Sequence, residues 1–149
     1  MILYLPKDSF KNANKFLGIV KPTKIFFIKY EFWANYLIEA KKKSIPTYLV
    51  SGVFRKKQVF FKWYGGFMRN ILKSFDTIFL QNENSHTLLN VINVDSIITG
   101  DTRFDRVMQN AEKVESFPII ERFINGSKTL VIGSCWAEDE SMIFPILND

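Results

Sequence analysis

The sequence predicts an α/β fold: a parallel sheet with helices on both faces. Three observations point to it. Short apolar runs recur along the chain at Lys24–Ile28, Thr47–Val50, Thr77–Leu80, Ser96–Thr99 and Lys128–Ile132. Between them lie longer stretches whose apolar residues repeat at helical intervals. Pro, Gly and small polar residues mark the junctions. Strands that alternate with helices at such spacing belong to parallel sheets, because a parallel pair needs a crossover connection.

Each element has its own justification. Asp8 or Ser9 is placed to cap a helix through about Val20, with Phe10, Ala13, Phe16 and Leu17 on one side and Pro22 as its stop. Lys24–Ile28 is expected as a buried strand. Phe32–Lys43 follows as a helix presenting Phe32, Trp33, Tyr36, Leu37 and Ala40. Pro46 precedes the strand Thr47–Val50. Val59–Ser74 is expected as one amphipathic helix weakened by Gly65 and Gly66. Thr77–Leu80 is a strand, Asn84–Val91 a short helix, Ser96–Thr99 a strand and Asp105–Val114 a helix, with Asp105 as its cap. Pro118 suits the first position of a helix to about Ile124. Lys128–Ile132 is expected as a strand and Trp136–Leu147 as the helix after it. No internal repeat or low-complexity tract interrupts this order.

Composition narrows the function. With 47% hydrophobic and 15% aromatic residues, the chain has the means to bury a core. Its apolar runs fall well short of the ~20 residues that span a bilayer. The opening MILYLPKDSF lacks the basic start of a signal peptide. One cysteine excludes an internal disulfide, and one cysteine with one histidine argues against a His/Cys zinc site. The net charge of +5 is concentrated: Ala40–Phe75 holds Lys41, Lys42, Lys43, Arg55, Lys56, Lys57, Lys62, Arg69 and Lys73 and no acidic residue. That segment is a candidate surface for something anionic.

Seven local patterns fall in register: YLPKD (Tyr4–Asp8), KYEFWAN (Lys29–Asn35), IPTYLVSGVF (Ile45–Phe54), the Gly65-Gly66 segment, FDTIFLQNE (Phe75–Glu83), TGDTRFD (Thr99–Asp105) and LVIGSCWAEDE (Leu130–Glu140). In this order they resemble the 3-deoxy-D-manno-octulosonic acid (Kdo) transferases of lipopolysaccharide synthesis, across essentially the whole chain. The resemblance implies a two-domain GT-B glycosyltransferase with Rossmann-like domains. Residues 1–109 would be the second half of the N-terminal, acceptor-side domain, 110–127 a connector, and 128–149 the start of the C-terminal, donor-side domain. It implies transfer of Kdo from CMP-Kdo to a lipid A precursor at the cytoplasmic face of the bacterial inner membrane, with no metal or organic cofactor. It also places the general base, a Glu, upstream of Met1, so that this piece alone is expected to be inactive.

The same resemblance assigns residues. Lys29 stands where the family pattern has an acidic, charge-stabilising residue, and Glu31 matches the second Glu of that segment. Either Lys29 contacts an anionic group or Glu31 carries the acidic role; a cap on the Phe32 helix is the alternative for Glu31. Trp33 is expected in the core. Arg103 matches the family's charge-stabilising Lys, and its planar fork suits phosphate or carboxylate; a surface ion pair with Asp101 or Asp105 is the alternative. Gly133 and Ser134, between a strand and a helix, are candidates for the CMP phosphate. Cys135 and His86 are read as structural or surface residues. Lys56, Lys57, Lys62, Trp63 and Arg69, interleaved with Phe60, Phe61, Tyr64 and Phe67, are candidates for an anionic membrane surface or the acidic acceptor. Two other readings remain: a glycosyltransferase of different sugar-nucleotide specificity, and a non-catalytic α/β module binding single-stranded nucleic acid through the basic-aromatic segment. No nucleic-acid partner is expected under the first reading.

Overall fold

A computed structural model describes residues 2–113 and 116–147. Val114, expected as the last residue of a helix, lies outside the described residues. The chain forms two compact units, Met1–Gln109 and Asn110–Asp149.

The first unit begins with α1 (Phe10–Val20), β1 (Ile25–Ile28), α2 (Ala34–Lys42) and β2 (Thr47–Gly52). A 3-10 turn at Val59–Phe61 leads to α3 (Gly66–Leu72), β3 (Thr77–Leu80), α4 (Glu83–Val91), β4 (Ile97–Ile98) and α5 (Thr102–Glu112). The four strands pair in parallel in the order β1-β2-β3-β4. The α/β class and the parallel sheet read from the sequence are therefore present.

Sequential order in one direction has a consequence. Right-handed crossovers then carry every connecting helix to the same face. The core follows that rule: Phe27, Leu49 and Ile78 share a face of the sheet and pack with Ala13 and Leu17 of α1, Leu37 and Ala40 of α2, Ile71 and Leu72 of α3, and Leu89 of α4. The opposite face carries Phe26 stacked on Tyr48 and Tyr48 stacked on Phe79, with ring centroids 5.2 and 6.4 Å apart. There Phe26 is 60% and Ile28 52% exposed. Two expectations are thus corrected. Helices α1–α4 gather on one face rather than both, and β1 is a half-exposed edge strand rather than a buried one.

Local chemistry explains the element ends. Ser9 caps α1, its Oγ accepting the Asn12 amide at 3.3 Å. Asp8 does something the sequence did not suggest: it accepts the Asn35 amide at 3.1 Å and so caps α2 across the fold. The Tyr36 hydroxyl donates to the Pro6 carbonyl at 2.9 Å, so the YLPKD stretch is tied to α2 twice. Phe32 and Trp33 precede α2; Phe32 packs edge-on against Phe60 and Phe75 in the core. Trp33 is 37% exposed and borders a groove instead of the core.

The expected single helix over 59–74 is two pieces. The turn at Val59–Phe61 reverses through Lys62–Gly65 before α3 starts. Gly65 closes this reversal: a Cβ on it would lie 1.9 Å from the Val59 carbonyl oxygen. Arg69 locks it, donating from Nη1 to the carbonyls of Phe60 (3.0 Å) and Lys62 (2.8 Å). Phe60 turns into the core while Trp63 (91%), Tyr64 (61%) and Phe67 (62%) stay exposed.

In the second unit, α6 (Pro118–Ile124) starts at its proline and ends at Asn125 in the left-handed conformation. The last helix, α7, spans Ala137–Leu147. Residues 128–132, expected as a strand, form none. A strand needs a neighbour to take its backbone hydrogen bonds, and all four strands among the described residues pair within the first unit. No helix of the described residues is long and apolar enough to cross a membrane.

Candidate functional site at the strand ends

In open parallel sheets, ligands bind outside the carboxyl ends of the strands. Here those ends converge on one polar cluster. Lys29 follows β1 in the left-handed conformation (φ 59°), its amide donating to the Val50 carbonyl at 2.9 Å. Ser51 in β2 is also left-handed (φ 60°), where the β2–β3 register shifts, and it is 1% exposed. Non-glycine residues adopt this conformation only where the surroundings hold them. Gln81, after β3, donates from Nε2 to Ser51 Oγ at 3.2 Å. Ser51 Oγ in turn lies 3.4 Å from Thr102 Oγ1 at the start of α5.

Arg103 is the second residue of α5, which starts at Thr102, three residues before the expected start at Asp105. Asp105 therefore sits within the first turn and is not the cap. Asp101 takes that place: its Oδ1 accepts the Arg103 amide at 3.0 Å. Its Oδ2 accepts Arg103 Nε at 2.8 Å and Nη2 at 2.5 Å. The hydrogen bonds from Arg103 hold the Asp101 carboxyl below the usual aspartate range, and the Lys29 ammonium adds to the effect. The same pairing raises the Arg103 guanidinium. Arg103 is thus paired with Asp101, and Lys29, far away in sequence, acts on the same carboxylate through its charge.

Glu31 does not join that cluster. It accepts the Trp33 indole N–H and lines a groove of about 440 Å³ with Ile28, Trp33, Tyr36 and Phe16, beside the free edge of β1. The capping alternative for Glu31 is overturned, since its carboxylate accepts the Trp33 indole N–H and it is Asp8 that accepts the Asn35 amide of α2. The surface-pair alternative for Arg103 is realised with Asp101, yet the guanidinium side chain remains 69% exposed while that of Asp101 is 8% exposed. The exposed fork is therefore also open to a ligand.

The basic-aromatic set is spread along one loop and helix. Lys56 and Lys57 are exposed, Lys62 and Arg69 half-buried, and Trp63 stands free in solvent. Arg69 spends one nitrogen on the turn described above. In the second unit, Gly133 and Ser134 form a turn, Ser134 left-handed at φ 58°. The following amide, Trp136, is donated to Asp139 Oδ2 at 3.1 Å, and the first turn of α7 carries Glu138, Asp139 and Glu140. Those carboxylates disfavour a phosphate at the start of α7. Among the described residues no His/Cys/Asp/Glu group could hold a metal ion. His86 is bonded through Nδ1 to Ser96 Oγ at 2.9 Å, and Cys135 is a free thiol.

Sequence reasoning missed Asp101, Ser51, Gln81 and Thr102 as members of the cluster. Asp101 carried a usable signal, an Asp after Gly100 and before a helical run, which is the pattern of an N-cap. Ser51 and Gln81 carried none, because their roles arise from strand pairing.

Residues 1–106 match the family model described as 3-deoxy-D-manno-octulosonic-acid transferase (kdotransferase). The chain is 28% identical to the 3-deoxy-D-manno-octulosonic acid transferase of Rickettsia typhi and 26% identical to that of Rickettsia prowazekii, in each case over 98% of this chain and 32% of the relative. It thus spans about a third of the length of these curated relatives. No solved structure matches significantly.

Proposed function

The chain belongs to the 3-deoxy-D-manno-octulosonic-acid transferase family, and on that premise we propose that its complete gene product transfers Kdo from CMP-Kdo to a lipid A precursor. The observation that carries the reading is the cluster at the strand ends, where the exposed Arg103 fork pairs with Asp101 and the Lys29 charge acts on the same carboxylate. Transfer of a sugar acid from a nucleotide builds negative charge on the departing phosphate. Preorganised cations aimed at that charge lower the barrier, and Arg103 offers bidentate geometry for it. Glu31, on the groove beside β1, faces the acceptor side.

In this reading residues 1–109 belong to a Rossmann-like acceptor domain, 110–127 connect it, and 128–149 open a donor domain of a GT-B enzyme. The exposed Phe26–Ile28 face supports this, because parallel sheets are normally covered on both faces. Gly133 and Ser134 would contact the CMP phosphate only once Trp136 releases Asp139. Trp63 with Lys56, Lys57, Lys62 and Arg69 would rest on the anionic cytoplasmic face of the inner membrane and meet the phosphorylated acceptor there.

The test is direct. The complete gene product is incubated with CMP-Kdo and a lipid A precursor, and the Kdo-modified lipid is sought by mass spectrometry. Transfer from CMP-Kdo supports the reading. Its absence with active-site residues intact, or transfer only from another sugar nucleotide, overturns it. Binding of single-stranded RNA with a steep salt dependence and no vesicle binding would favour a nucleic-acid module instead.

A further inference from the structure

The Asp101 carboxylate is the most fully engaged polar group at the strand ends. Both its oxygens are used by Arg103, one by the backbone amide and one by the guanidinium. Its side chain is 8% exposed, whereas that of Arg103 is 69% exposed. The carboxylate is therefore the fixed partner and the guanidinium the one that reaches outward. Gly100 (φ 84°) and the bonds of Thr99 and Gly100 to the Leu80 carbonyl fix the backbone of Asp101 against β3, and Thr102 Oγ1 meets buried Ser51 on its other side.

We propose that Asp101 is a positioning residue for the transfer reaction: it aims the Arg103 fork at the ligand. Without it Arg103 would sample orientations away from the site. A displaced charge-stabilising group costs rate much more than affinity. The inference rests on the proposed transferase reading with Arg103 at the site, and it adds the group that sets Arg103 there.

The experiment uses the complete gene product. Asp101→Asn keeps the shape and removes the charge; kcat is expected to fall about 10- to 100-fold with little change in KM, and Asp101→Glu to recover part of the loss. Arg103→Ala alone is expected to lower turnover about 100-fold. In that background Asp101→Asn is expected to cost far less, the non-additivity expected of charges in contact. A purely structural Asp101 would give additive losses. Independently of turnover, the Arg103 Nε–H, donated to Asp101 Oδ2, is expected by NMR to exchange slowly with solvent and to speed about tenfold in Asp101→Asn. Unchanged exchange, or additive Arg103 and Asp101 effects, overturns the proposal. If Arg103→Ala abolishes transfer while Asp101→Asn leaves kcat intact, this inference fails alone. If Arg103→Ala retains transfer, it is the placement of Arg103 that fails.

Discussion

At the scale of single residues, charge decides the site. Arg103 is exposed, planar and held at the start of a helix, so its removal should act mainly on turnover, with only the small share of stability that a surface pair supplies lost with it. Arg103→Ala in the complete gene product is expected to lower kcat about 100-fold, with Arg103→Lys keeping part of the rate; near-normal turnover in the Ala variant would leave Arg103 as half of a surface pair. Asp101 links the cluster to pH. Its carboxyl is held below the usual range, mainly by Arg103, so its folded state binds the proton less readily than the unfolded chain does. The stabilisation is therefore complete above the ordinary aspartate value near ~4 and is lost as pH falls through the lower folded value. Denaturation of the chain between pH 7 and pH 2 should show this: Asp101→Asn is expected to be less stable than the wild type at neutral pH and to have a shallower acid limb. Parallel pH profiles for the two would remove the ion pair from the account. Lys29, Glu31 and Arg103 were named as candidates chiefly through the family resemblance, together with their places after strands. That Arg103 meets Asp101 and Glu31 meets Trp33 was not legible, because local sequence assigned Asp101 only a minor part and read Trp33 as core.

Among the elements, α1 and α6 were legible because their starts are written locally in Ser9 and Pro118, whereas the Asn82 cap of α4 was passed over and its helix was expected to start at Asn84. The stretch 59–74 was not. Its aromatic residues satisfy helical spacing, yet Gly65 lets the chain fold back within van der Waals range of Val59, and periodicity contains no term for such an approach. This makes Gly65→Ala a sharp test. The added methyl would sit 1.9 Å from the Val59 carbonyl oxygen, a backbone atom that cannot swing away, so the variant is expected to lose about 2 kcal/mol or more of stability. Gly66→Ala, whose methyl would meet only Arg69 Nη2 at 3.8 Å, is expected to be neutral or slightly stabilising as a helix residue. Equal effects at the two positions in a denaturant titration would mean the reversal is not held as described. Asp8 makes the complementary point about caps. Asp8→Ala should cost about 1 kcal/mol through loss of the α2 cap, while Glu31→Gln, which touches no α2 amide, should leave stability nearly unchanged. The two were not separable by sequence, since Asp8 lies 27 residues from the amide it caps.

The whole molecule presents a sheet that is finished on one face and open on the other. The topology accounts for this: four strands laid down in one direction put their crossovers together, so Phe26, Ile28 and the stacked Tyr48 and Phe79 must be covered, if at all, by chain that runs to the other side of β1. In a doubly wound domain that reversal is the switch point, and the ligand crevice lies beside it. Under the proposed half-domain reading that crevice would lie where Lys29 follows β1 and Glu31 lines the groove. The half-domain reading therefore makes a quantitative claim about Phe26. In the 149-residue chain its ring is 60% exposed, so Phe26→Ala is expected to change stability by no more than about 0.5 kcal/mol. In the complete gene product the ring would be buried under the second helical layer, and the same change is expected to cost about 3 kcal/mol or more. The backbone should report the same difference. Ile25 and Lys29 give their amides to the β2 side, to Pro46 and Val50, so by strand alternation those of Phe26 and Ile28 face the open edge. Hydrogen exchange at these two amides is expected to be fast in the isolated chain and strongly protected in the complete protein. Protection in neither, together with an equally mild Phe26→Ala in both, would mean that β1 is a true edge and that the groove beside Glu31 is a surface furrow and not the crevice of a Rossmann-like domain.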